Sequence, residues 1–146
     1  MQFNMEISEI RQRLKQTIDQ TRRAAAERRA RTDAATKAYD TFLERVATPM
    51  FKQFAVALRA EGHPFHVFTP GGGVRLASER SAEDFVELLL DVSGEEPAVL
   101  GRVSCSRGSR VISHEAPLGS EPGIARLTEG DVLELLLREI PPLITR

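Results

Sequence analysis

The stretch MEISEIRQRLKQTIDQTRRAAAERRARTDAATKAYDTFLERVA, residues 5–47, contains neither glycine nor proline. It is rich in Ala, Arg, Glu, Gln and Lys, which lose little freedom in a helix. Ile7, Ile10, Leu14, Ile18, Thr21 and Ala25 recur every three or four residues, so they fall in one stripe on a helix. Tyr39, Leu43, Val46, Met50 and Phe54 resume that stripe in phase, across a thin middle of Arg28, Thr32, Ala35 and Thr36. The pattern predicts one long helix with two apolar ends. At its standard rise it is roughly 65 Å long. A body of about 100 residues has a radius of gyration of only about 13 Å. The organisation expected is therefore a projecting, coiled-coil-like helix over 1–47 and a compact domain over 48–146.

A projecting helix is marginally stable alone, because packing of its apolar face supplies most helical stability. The simplest partner is a second copy of the chain, as in a short coiled coil. Ile7, Ile10, Leu14, Ile18 and Ala25 are the expected self-association residues of a homo-oligomer, with a dimer favoured. The alternative is a helical hairpin folded back near Arg31-Thr32-Asp33, although no glycine or proline marks a turn there. Pro49 raises a separate question. Proline inside a helix loses a hydrogen bond and clashes with the preceding turn, whereas Thr48-Pro49 suits a fresh helix start. The helix either kinks here or ends and restarts, and Gly62 with Pro64 stops it.

From residue 65 the period changes to two. FHVFT (65–69) and VRLAS (74–78) read as strands around the turn PGGG (70–73). Residues 85–92 alternate Val86, Leu88, Leu90 and Val92 against Phe85, Glu87, Leu89 and Asp91. AVLGRVSCS (98–106) and RVISHEAPL (110–118) form a hairpin. A two-residue turn at Arg107-Gly108 sets Val103 opposite Ile112 and Cys105 opposite Arg110. It buries Val99, Val103, Ile112 and Ala116 together. Thr128 and Asp131 make a capping box for a helix over 129–140, which Pro141-Pro142 ends. Val132, Leu133, Leu135, Leu136, Leu137 and Ile140 cover so much of that helix that it should touch more than the sheet. The fold class is α+β: a long N-terminal helix, a small antiparallel sheet of about five strands, and a C-terminal helix covering it.

The net charge of −1 hides two unlike halves. Residues 1–80 carry 14 Lys/Arg against 9 Asp/Glu, and residues 81–146 carry 6 against 12. Arg11, Lys15, Arg22 and Arg29 line one side of the helix beside the apolar stripe, with Arg23 and Arg28 nearby. Such a row contacts polyanions through counterion release, so these six are the candidate nucleic-acid contacts. No aromatics interleave for base stacking. A basic flank is also ordinary beside a coiled-coil seam.

Catalytic, cofactor and metal residues are not expected. His63, His66, His114 and Cys105 lack zinc-site spacing. Cys105 with His114 would need a nearby cation to activate the thiol, and no nucleophile elbow is present. PGGG is not a phosphate-binding P-loop, because no GxxxxGK[ST] run exists. Glu95-Glu96 and Glu115 with Glu121 have no carboxylate-pair spacing. There is no signal-peptide pattern and no membrane-length apolar run. The single cysteine suits a reducing, cytoplasmic setting. The expectation is a non-enzymatic protein-protein interaction or assembly subunit, adaptor- or chaperone-like, that also docks a protein partner. Nucleic-acid binding by the basic face is the alternative.

Overall fold

A computed structural model describes residues 5–118 and 123–145. Helix α1 spans Ile7–Phe42, and helix α2 spans Thr48–Ala60. Between them Leu43–Ala47 forms one π-helical turn, so the chain stays helical from residue 7 to residue 60. The hairpin alternative at Arg31–Asp33 is thus excluded, and Pro49 neither ends the helix nor starts a separate one. The wider turn is the physical answer to the proline. A prolyl ring collides with the carbonyl four residues back and supplies no N–H. A π-turn adds a residue and moves that carbonyl away, and the Thr48 N–H bonds Leu43 O, five residues back.

That extra residue also turns the helix about its axis. Before it, Tyr39 and Phe42 face the core; after it, Ala47, Phe51, Ala55 and Leu58 do. The five-residue step from Phe42 to Ala47 marks the shift. Leu43, Val46, Met50 and Phe54, the straight continuation of the stripe, are only partly buried at its border. The helix ends in a Schellman motif: His63 N–H bonds Leu58 O at 2.8 Å and Gly62 N–H bonds Arg59 O at 3.1 Å. Gly62 takes the left-handed conformation this requires, with φ 89°.

The strands are β1 Phe65–Phe68, β2 Val74–Ser78, β3 Phe85–Asp91, β4 Ala98–Arg107 and β5 Arg110–Pro117. They form one antiparallel meander in the order β1-β2-β3-β4-β5. All sheet residues of the main core lie on one face, among them Val74, Leu76, Val86, Leu88, Val99 and Val103. Against that face pack Tyr39, Phe42 and Phe51 from the long helix and Val132, Leu135 and Leu136 from α3, Glu129–Glu139. The architecture is a two-layer α+β sandwich in which, among the described residues, one sheet face is left without a helix. Thr128 and Asp131 form the capping box of α3. A final turn, α4 Pro141–Ile144, buries Leu143.

The β4–β5 register differs from the expected one by two residues. Cys105 pairs with Ile112, Val103 with His114 and Arg107 with Arg110. The turn therefore lies at Gly108-Ser109. Gly108 has φ 62°, and among the described residues no non-glycine residue has positive φ. That combination is a type II′ turn, whose first central position wants glycine. A two-residue slip preserves faces, so Val99, Val103 and Ala116 are buried as read. Ile112 is the casualty: it moves toward the hairpin tip and is 54% exposed. Val92 lies just outside β3 and is also exposed.

The PGGG turn is where helix and sheet are tied. Gly73 N–H bonds Pro70 O at 2.9 Å, and Gly72 has φ 78°. The Tyr39 hydroxyl donates to Gly72 O at 2.9 Å and lies 3.4 Å from Leu88 O. A Cβ at Gly73 would stand 2.5 Å from Leu88 O, so only glycine fits this approach.

Candidate interaction surfaces

The first surface is the free arm of α1. Every residue from Met5 to Arg31 is exposed, and partial burial begins at Thr32. The arm is about 40 Å long at the usual helical rise. Ile7, Ile10, Leu14 and Ile18 stand 75%, 49%, 55% and 40% exposed. Their stripe is continuous with the buried part of the helix. Leu14, Ile18, Thr21, Ala25, Arg28, Thr32, Ala35, Tyr39 and Phe42 follow one another at alternating steps of four and three, the heptad spacing of a coiled-coil seam. The arm end of this seam has no partner among the described residues, and the body end has the sheet. Arg11, Lys15, Arg22, Arg23, Arg28 and Arg29 are all exposed on the arm. None of them forms an ion pair among the described residues.

The second surface is the helix-free sheet face. One row crosses all five strands: Phe68, Arg75, Glu87, Arg102 and Glu115. Arg75 Nη2 bonds Glu87 Oε2 at 3.1 Å. Arg102 reaches Glu87 Oε2 and Glu115 Oε1, each at 3.9 Å. The Arg75 guanidinium carbon stands 3.9 Å above the Phe85 ring centroid and 5.5 Å from that of Phe68. Cation–π contact and paired charge together hold the long side chains flat over the sheet. That is how Glu87 becomes buried on a face with no helix. Sequence reading saw only an alternation here; the signal was available in the like parity of these residues, but it needed the strand register to become a row.

The side chains with reactive chemistry are dispersed. Cys105 is buried, its Sγ 3.7 Å from the carbonyls of Ser106 and Pro142. Its cross-strand neighbour is Ile112, not Arg110. His114 Nε2 bonds Glu139 Oε2 at 2.9 Å. His66 stacks on Phe68 on the open face, with ring centroids 5.5 Å apart. His63 follows the end of α2. Among the described residues no three His, Cys, Asp or Glu side chains are grouped to hold a metal. Asp84 is buried and accepts from the Ser106 N–H at 2.7 Å and hydroxyl at 2.9 Å, tying the start of β3 to the end of β4. The Arg59 hydrogen bond at 2.7 Å holds the exposed Glu79 carboxyl below its ordinary pKa. Glu121 lies outside the described residues.

No helix among the described residues is long and apolar enough to cross a membrane. No protein-family model matches the chain, and neither a curated protein nor a solved structure is detectably similar to it.

Proposed function

We propose that this chain is a non-enzymatic assembly subunit or adaptor that self-associates through its N-terminal helix and docks a protein partner. The observation that supports this most is the bare seam of Ile7, Ile10, Leu14 and Ile18 on an arm that is exposed throughout among the described residues. Water is a poor neighbour for four large aliphatic side chains in one line. Ala25 and the other alanines of the exposed arm, Ala24, Ala26 and Ala30, let a second helix approach closely, and the heptad spacing suits a helical partner over a flat one. The basic flanks of two arms would leave the pair soluble and open to an acidic partner. A reducing, cytoplasmic setting fits the single buried cysteine.

Sedimentation velocity of the intact chain beside the I10E/L14E/I18E variant tests the reading. The intact chain is expected to have the larger mass. These three residues are exposed, so the variant keeps its fold. Equal masses for the two at every concentration would sink the proposal. A second reading, polyanion binding, is favoured by six of the eight Lys/Arg of the arm, Arg11, Lys15, Arg22, Arg23, Arg28 and Arg29, none of them in an ion pair among the described residues. It expects affinity for duplex or single-stranded nucleic acid that falls steeply with salt and drops in R22E/R23E/R28E/R29E.

A further inference from the structure

The two edges of the sheet are not alike. β1 is four residues long and stands between Pro64 and Pro70, and α2 packs beside it. Short length and flanking prolines are what blunt an edge against further pairing. β5 is eight residues long, and among the described residues nothing covers its outer side. Leu118 N–H bonds Val99 O, which sets the phase of the ladder. Arg110, Ile112, His114 and Ala116 therefore spend their backbone groups on β4, and Val111, Ser113 and Glu115 turn theirs outward. Pro117 falls on an outward position, where its missing N–H costs the β4 ladder nothing.

We propose that β5 pairs antiparallel with the β5 of a second copy about a two-fold axis at Ser113, joining the two sheets into one. The outward set is centred on Ser113, so this register alone uses all of it. Ser113 meets the second copy's Ser113, and Val111 meets the second copy's Glu115, giving about six backbone hydrogen bonds. Pro117 stays outside the new ladder. On the helix-facing side Ile112 meets the second copy's His114, which covers the Ile112 side chain left bare at the tip.

Charge selects the same arrangement. Arg110 meets the second copy's Ala116, which lines a groove of about 360 Å³ between β5 and α3. Glu115, Asp131 and Glu134 also line that groove, against Arg138 alone. Arg110 faces Arg107 across its own hairpin and forms no ion pair among the described residues. Pairing moves its guanidinium toward carboxylates, and the two-fold does so twice. A second β5 fits better than an unrelated strand because it carries both the cation and the acidic groove in matching places.

The test uses the full chain carrying I10E/L14E/I18E, so that arm association does not contribute to the mass. Failure of the arm reading would show as no difference between that chain and the intact one; failure here shows in the variants that follow. In this background S113C is expected to form a covalent dimer under mild oxidation, because paired Cα atoms about 5.5 Å apart are within disulfide reach. V56C, exposed on α2, is the control and should stay single, as should the chain whose only thiol is the buried Cys105. S113P removes the central outward N–H without touching the β4 ladder. It should weaken self-association by at least roughly tenfold while the thermal midpoint of the monomer holds. R110E should weaken association too, and R110E/E134R should restore it. The proposal is overturned if S113C crosslinks no more than V56C, or if R110E leaves the association constant unchanged.

Discussion

One helix runs from Ile7 to Ala60, and its two ends face different surroundings. The seam that carries Tyr39 and Phe42 into the core carries Leu14 and Ile18 into water. The heptad spacing runs through both as far as Phe42; what separates them is that residues 32–60 carry Tyr39, Phe42, Phe51 and Phe54 and have the sheet and the turn Ile124–Arg126 beside them. The lesson is that an apolar stripe reports a need for a neighbour and not whether the chain itself supplies one. The body end is held by burial, by the Tyr39 hydroxyl on the PGGG turn and by a π-turn that aims Phe51, Ala55 and Leu58 inward. Among the described residues the arm end has only hydrogen bonds within the helix itself, the backbone ladder and Thr21 Oγ1 on Thr17 O at 2.8 Å.

The sharpest break of that contrast is one large side chain from each end. Phe51→Ala empties a fully buried site and is expected to lower stability by about 3–5 kcal/mol, read by urea unfolding. At a dilution where the chain is monomeric, Leu14→Ala should stay within about 0.5 kcal/mol of the parent. A loss comparable to Phe51→Ala would mean that the arm packs on the body. Next in size is Gly73→Ala. Its Cβ would meet the Leu88 carbonyl oxygen, so a loss of about 1–3 kcal/mol is expected in the same measurement.

Tyr39→Phe should cost about 1 kcal/mol near neutral pH and change the alkaline limb. Burial first, then the Glu87 and Asp40 charges, push the Tyr39 hydroxyl from its ordinary value of 10.0 up to about 12. The folded chain keeps this proton where the unfolded chain has lost it. The associated stability is therefore whole below the ordinary value and is lost as pH rises through about 12. Urea midpoints over that window should fall for the parent and fall less for Tyr39→Phe. The smallest effect is kinetic. Amide hydrogens of residues 10–31 should exchange faster than those of 39–60 in dilute solution, and the difference should narrow as concentration rises if the arms pair. Equal protection of both ends at all concentrations would erase the comparison.

Much of this fold was legible because it is local chemistry. The long helix follows from propensity and spacing, the helix stop from Gly62-His63-Pro64, the α3 start from Thr128 and Asp131, and the strands from the switch to period two. What escaped were consequences of geometry between elements. Pro49 could be seen to be a problem, but the remedy, one extra residue in a turn, depends on which side chains the sheet can accept. The β4–β5 register lies two residues from the one the sequence suggests, because Arg107-Gly108 and Gly108-Ser109 both look like turns. Backbone twist prefers glycine first in the chosen type. The row from Phe68 to Glu115 was invisible until the register aligned five strands.

The candidate surfaces divide in the same way. The arm was found from sequence because a helix repeat is written in consecutive residues. The β5 edge was not, since an edge exists only by virtue of strand order, and strand order is a long-range choice. By itself the sequence determined the order of the long helix, the strands and α3, the stop after the long helix, the capping box of α3, and that residues 7–25 present an apolar stripe. The tertiary structure alone decided which part of that stripe is covered, which sheet face stays bare, and which strand is left with unpaired backbone groups. The physical reason is range. Propensity, capping and turn chemistry act within a few residues, whereas burial and strand pairing are settled by segments far apart in the chain that compete for the same surface.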